Sequence, residues 1–260
     1  MRLEFRIPFC YHLPMGIGIQ HSVDASPQFV DQVFKVLLES ISSGRLKPGE
    51  RIRQNELAER LGVSRQPVSH ALQMLKHQGL VRDAGKQGLE VAPIDVDYLL
   101  HLYRARTALE GTAVSLAASR VANNTATTEQ IQELEGALTA GRVACTDGSP
   151  LPVLVRADYR FHQALYLLSA NPAVVTMMTA QWPHLMRSMM AVLDDPGVPT
   201  RAWEEHGLIA QAVLAGSVDD ALDLSTRHLQ RAAADWHQRL SEVFTRASPQ
   251  GSNGWQRVAA

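Results

Sequence analysis

Cysteine is nearly absent from this chain. Cys10 and Cys145 are the only two in 260 residues, far apart and without metal-ligand spacing. That argues against a disulfide framework and against a zinc finger, and it fits a reducing cytoplasm. Long apolar runs are also missing. No stretch approaches the ~20 residues a membrane helix requires, so no membrane partner is expected. Lysine is scarce, and all four, Lys35, Lys47, Lys76 and Lys86, fall in the first third of the chain. Net charge is almost absent at −1, which looks wrong for a nucleic-acid binder until it is divided. Residues 28–94 hold ten Lys/Arg against seven Asp/Glu, whereas residues 95–245 hold eleven Arg against seventeen Asp/Glu. A basic module on an acidic body suits a DNA reader with a separate regulatory part. The length suits two domains, each with its own core. Residues 1–26 are broken by prolines and are too interrupted for a signal peptide, so they read as a flexible extension. Residues 247–260 read as a flexible tail.

What is present is most concentrated in residues 55–75. Leu57, Ala58 and Leu61 make one apolar helical face. Gly62 stops that helix, Ser64 is expected to cap the next, and Pro67 lies in its first turn. Val68, Ala71, Leu72 and Leu75 continue a second apolar face. The spacing predicts a helix-turn-helix whose second helix begins with Arg65, Gln66 and Ser69 facing solvent. Side chains there reach base edges in the major groove. A helical run, Phe29 to Ile41, precedes the motif, and Lys47-Pro48-Gly49 is a turn. Residues 77–81, 82–88 and 89–91 read as strand, glycine-rich hairpin and strand, which is a wing.

This unit, over about residues 28–93, resembles the winged-helix DNA-binding domain of GntR-family transcription regulators. The resemblance rests on Ile41-Ser-Ser-Gly-Arg-Leu-Lys-Pro-Gly49, Leu57-Ala58, Leu61-Gly-Val-Ser-Arg65, Pro67-Val68, Ala71-Leu72, Leu75 and Gly79-Leu-Val81. It implies a DNA-contacting set of Arg45, Asn55, Ser64, Arg65, Gln66, Ser69 and His70, with Gly85 and Lys86 at the wing tip. Two positions depart from the family habit. Ser69 stands where arginine is common, and Asn55 lies where a charge is common. The reading face therefore carries fewer cations than usual, which points to a different half-site or weaker binding.

From Asp95 onward strand signals vanish. Breaks near 123–127, 147–152, 171–172, 194–199 and 216–217 leave six helices, at 95–122, 127–142, 152–169, 172–193, 200–215 and 217–246. The first could be split near Tyr98–Tyr103. The expected fold class is mainly α: a winged helix-turn-helix over 27–94, then an antiparallel all-α bundle over 95–246.

Within the bundle, Asp158 and His162 sit at i and i+4 on one helical face. His206 and His228 each neighbour core-type residues. They lie ten residues before Gly216 and eleven after Ser217. At ~1.5 Å per helical residue, both stand at one level of adjacent antiparallel helices. One carboxylate and three imidazoles from three helices suit a borderline divalent ion such as Zn, Ni or Mn. Spacing alone supports this only weakly, since a single histidine is more often a packing or surface residue. Arg187 could face the same pocket or a solvated helix surface.

Residues 97–240 also resemble the C-terminal ligand domain of the FadR subfamily, the FCD type. The resemblance is carried by Arg106-Thr-Ala-Leu-Glu110, Asp158-x-x-x-His162, Asn171, His206 and His228. It implies that Asp158, His162, His206 and His228 bind the metal. It also implies that a small carboxylate completes the coordination, with Arg106 and Asn171 on the effector side. His101, His184 and His237 match no ligand position and read as surface or packing histidines. The function expected is a ligand-responsive regulator, most simply a repressor, acting as a cytoplasmic homodimer on a palindromic operator. The alternative is a metal-dependent enzyme fused to a DNA-tethering domain. It lacks a general base with suitable spacing, because Glu204 and Glu205 are consecutive on a helix and point about 100° apart.

Overall fold

The computed structural model describes residues 27–85, 88–192 and 197–247. Helix α1 (Pro27–Ser42) is followed by strand β1 (Arg51–Ile52), α2 (Gln54–Leu61), α3 (Arg65–His77), β2 (Val81–Asp83) and β3 (Leu89–Val91). Six longer helices follow: α4 (Val96–Ala122), α5 (Thr128–Thr146), α6 (Leu151–Leu168), α7 (Pro172–Val192), α8 (Gly197–Leu214) and α9 (Val218–Ala247). No described helix is long and apolar enough to cross a membrane. The extension before residue 27, the segment after residue 247 and Lys86 lie outside the described residues.

The helix-turn-helix forms as its sequence dictates. Gly62 takes the left-handed conformation at φ 65°, and its N–H closes the end of α2. A side chain at Gly62 would be strained at that φ. Ser64 occupies the N-cap of α3, but its hydroxyl makes no capping hydrogen bond. That start relies on Pro67, buried in the first turn, and on Val68, Ala71, Leu72 and Leu75, which are fully buried. They pack with Val33, Leu37 and Ile41 of α1 and with Val81 and Val91 of the wing.

The sheet has one strand more than the sequence pattern indicates. β1 pairs antiparallel with β3, so the order is β1-β3-β2 with β3 central. Two residues are too few to show an alternating pattern. Central β3 explains why Leu89 and Val91 are both buried.

Helix α4 is continuous across Tyr98–Tyr103, not split. Asp95 caps it, its carboxylate accepting from the Tyr98 N–H at 2.9 Å, and Leu99, Leu102 and Tyr103 are buried on one face. Helix α5 opens on a reciprocal capping box between Thr127 and Gln130 and runs to Thr146, four residues past its expected end. Helices α4 and α9 pack along each other, α5 packs on α6 and α8, and α6 lies between α5 and α7. Gly141 allows the close approach of α5 and α8, because a Cβ there would fall inside the Trp203 ring.

Helix α7 links the two halves. Its Trp182 packs against the His162 ring and beneath the Arg106 guanidinium. Two residues on, His184 Nε2 donates to the Gln78 carbonyl at the end of α3, at 2.9 Å. Arg187 donates to the Pro93 carbonyl, just before α4, at 2.6 Å. Arg187 is buried, so it lies neither in the pocket described below nor on a solvated face. Burial lowers its pKa to about 10.

Candidate metal centre and DNA-reading face

Three helices bring the centre together. Asp158 and His162 project from α6, His206 from α8 and His228 from α9. The three imidazoles are buried, and each offers a nitrogen within 4.8 Å of the others. His206 Nε2 lies 3.2 Å from His228 Nε2 and 3.5 Å from Asp158 Oδ1. His162 Nε2 lies 3.9 Å from the same carboxylate oxygen. Nitrogens held ~2.0–2.1 Å from one tetrahedral ion sit roughly 3.3 Å apart, so these separations suit a shared cation. His162 Nε2 and Asp158 Oδ2 are buried without a hydrogen-bond partner among the described residues. Unpartnered buried acceptors are costly, and a cation between them would relieve that cost. The donor set therefore fits a divalent ion.

The outer layer strengthens the fit. His162 Nδ1 lies 2.5 Å from Glu110 Oε1, and His228 Nδ1 lies 2.7 Å from Glu205 Oε2. At His228 the carboxylate holds the proton on Nδ1 and leaves Nε2 as a lone-pair donor facing the centre. At His162 the carboxylate is close, but neither Nδ1 nor Glu110 Oε1 completes a well-aligned hydrogen bond among the described residues. Burial lowers the pKa of His162 although Glu110 opposes it. Burial, with His228 and His162 beside it, holds His206 well below the usual histidine range. His206 thus stays neutral, as a metal ligand must. Glu110 is buried, which favours its neutral acid, yet His162 and Arg106 hold it well below the carboxylate range. It accepts from Arg106 Nε at 3.0 Å and from the Tyr166 hydroxyl at 2.7 Å.

Sequence reasoning missed Glu205 as a partner of His228. Its neighbour His206 drew attention away, and its contact lies on another helix. Glu205→Ala is expected to weaken zinc affinity ten- to hundredfold, the usual cost of losing such a partner. Chelator competition measures this, and unchanged affinity would refute the orienting role.

Beside the centre lies a cavity enclosing about 80 Å3. At ~10–15 Å3 per water-sized sphere, that is room for several waters or a small organic acid. Arg106 lines it, as do Asp158, His162, Glu205 and His228. One guanidinium nitrogen of Arg106, Nη2, is buried without a partner among the described residues. Asn171 is not brought to this cavity. Its side chain caps α7, accepting from the N–H groups of Ala173 and Val174 at 3.1 and 3.3 Å.

At the other end of the molecule, Arg65, Gln66, Ser69 and His70 line one shallow depression together with Gln54, which sequence reasoning did not single out. Arg65, Gln66, His70, Ser64 and Asn55 are exposed, and Ser69 is half-buried. Arg45 is exposed in the turn after α1, and Gly85 is exposed at the wing. Among the described residues Arg65 forms no ion pair, so its fork is available to a base edge. Arg65→Ala is expected to cost ~1–3 kcal/mol of operator affinity and to relax specificity at one base position. Gel shifts against a panel of single-base operator variants test this. Unchanged binding by a folded variant would sink the assignment.

Comparison with known proteins gives two family matches. Residues 101–231 match the FCD domain, and residues 29–91 match the profile of bacterial regulatory proteins of the gntR family. An uncharacterized HTH-type transcriptional regulator of Bacillus subtilis (strain 168), YdhC, is 29% identical over 149 residues. That match covers 57% of this chain and 64% of YdhC, a little under two thirds of its length. A probable D-xylose utilization operon transcriptional repressor of Paenarthrobacter nicotinovorans is 27% identical over 198 residues, 76% of this chain and 84% of its own. The solved structure of E. coli McbR/YncC superposes with a TM-score of 0.71 at 25% identity, covering 82% of this chain and 98% of that one.

Proposed function

We propose, from the premise that this chain belongs to the GntR family of bacterial transcription regulators and carries an FCD domain, that it senses a metal-bound organic acid. It is a transcription regulator, the role that the names of its relatives print, and those names describe no enzyme. In this reading residues 27–94 read DNA and residues 95–246 sense the effector. Asp158, His162, His206 and His228 hold one divalent ion, with Zn, Ni and Mn as the candidates. When bound, the ion supplies a Lewis-acid position for the effector's carboxylate. Arg106 supplies charge and hydrogen bonds on the same side.

The observation that carries the reading is the meeting of three buried imidazoles and one carboxylate around a point, beside a cavity walled by a buried arginine. The regulator is proposed to act in the cytoplasm as a homodimer and a repressor. Two recognition helices would then engage a palindromic operator. DNA contacts are assigned to Arg45, Asn55, Ser64, Arg65, Gln66, Ser69, His70 and Gly85, with Lys86 as a phosphate contact. The effector moves the equilibrium by its differential affinity for the operator-bound and free forms.

The test has two parts. Elemental analysis of the purified full chain should find close to one divalent ion per chain. A carboxylate screen by gel shift should find acids that release operator from the loaded protein and not from the stripped one. No ion after supplementation, or release that ignores the metal, overturns the reading.

A further inference from the structure

The cavity beside the metal centre has a ligating end and an apolar wall. Its ligating end is formed by Asp158, His162 and His228. From there Leu154 and Leu151 continue along α6 toward its N-terminus. On α9 the stripe His228, Ala232, Trp236 runs at i, i+4 and i+8. Eight helical residues span ~12 Å, and the seven from Asp158 back to Leu151 span ~10 Å. Val155, Met189 and Trp203 complete an apolar wall.

The charged side chains along this wall pair mostly with one another, although Arg201 Nε is buried without a hydrogen-bond partner among the described residues. Arg201 is paired with Asp235 and lies 3.8 Å from Glu205, which also holds Arg231 and His228. The buried polar atoms left without a partner among the described residues on the Tyr103, Arg106 and Trp236 walls are all donors: a phenol, a guanidinium nitrogen and an indole N–H. An indole N–H and a guanidinium can only donate. They suit a ligand whose heteroatoms are acceptors. A second carboxylate farther along would lose its hydration against leucine, valine and tryptophan.

We propose that the effector is a monocarboxylate with a hydrocarbon body, aryl or medium-chain alkyl. Its carboxylate lies at the metal and Arg106, and its body lies between Leu154 and Trp236. This rests on the metal-and-carboxylate reading above and narrows the class of acid. Short acids leave the apolar wall uncovered, and polyacids place charge against it.

Calorimetric titration of the zinc-loaded full chain with acetate, hexanoate, 3-phenylpropanoate and citrate tests this. Each buried methylene is worth on the order of fourfold in affinity. Hexanoate and 3-phenylpropanoate should therefore bind at least about tenfold tighter than acetate and citrate. Leu154→Asn, at a half-buried position, should shrink the hexanoate-over-acetate ratio by on the order of tenfold, with zinc content measured alongside. Acetate or citrate binding as tightly as hexanoate overturns the hydrocarbon assignment and leaves the metal-carboxylate reading standing. So does a folded, zinc-loaded Leu154→Asn that keeps the ratio. Failure of all four acids to bind overturns both.

Discussion

Glu110→Ala is expected to destabilise the helical bundle by ~3–5 kcal/mol, the cost of removing one partner from a buried ion pair. Glu110 and Arg106 are 0% and 1% exposed, so loss of Glu110 leaves the arginine's charge unpaired inside the bundle, with only the adjoining cavity to hydrate it. Burial works against the Arg106 charge, and Glu110 more than offsets it, raising the arginine's pKa above its ordinary value. The Tyr166 hydroxyl loses its acceptor in the same change, and His162 loses its neighbour. Urea unfolding of metal-free protein measures the effect without ion binding in the balance. A loss below about 1 kcal/mol would show that Arg106 finds another partner. The sign of the pH dependence follows from the same cluster. The Glu110 carboxyl is held below its unfolded value. Its stabilising contribution is therefore complete at neutral pH and is lost as pH falls below ~4.3 toward the folded value.

His206→Ala is the second large effect. Zinc content should fall from close to one per chain to background, and release of operator by carboxylates should vanish. Operator affinity in the absence of effector should stay within about threefold. His206 is central to the ligand set, within 3.5 Å of both Asp158 Oδ1 and His228 Nε2. The ring also stacks on Phe161 with centroids 4.3 Å apart, so some loss of stability accompanies the substitution. A melting curve of the stripped proteins separates that loss from the loss of metal. Arg65, Gln66 and His70 belong to α3, in a separate core cluster, which is why DNA binding is spared. Full zinc occupancy in the variant would remove His206 from the ligand set.

The sequence made the helix-turn-helix legible because its determinants are local. Gly62, Ser64 and Pro67 fall within six residues; Gly62 and Pro67 each act on their own turn, while Ser64 takes the N-cap position without a side-chain capping bond. The candidate ligand set rests on spacing only weakly, through the equal distances of His206 and His228 from the Gly216 turn, and mainly on the FCD resemblance; the structure brings His162, His206 and His228 together. Glu205 and Arg187 were not legible. Glu205 acts on His228 of another helix, and Arg187 finds its partner in a main-chain carbonyl at Pro93, which no side-chain pattern encodes. Asn171 shows a resemblance outweighing a local signal. Asn171-Pro172 is itself a helix-start pair, with a capping side chain and proline at the first helical position.

The bonds from His184 and Arg187 both end on backbone carbonyls, those of Gln78 and Pro93. Any residue at those two positions offers the same oxygen. The recognition helix can therefore change its side chains, and with them its target sequence, without disturbing these two joints to the sensor. Such a joint makes the reading head exchangeable. Chimeras spliced at residues 93–95 should keep both contacts with a foreign winged helix of the same backbone, provided that an acidic partner for Arg156 is kept at the Glu39 position of α1.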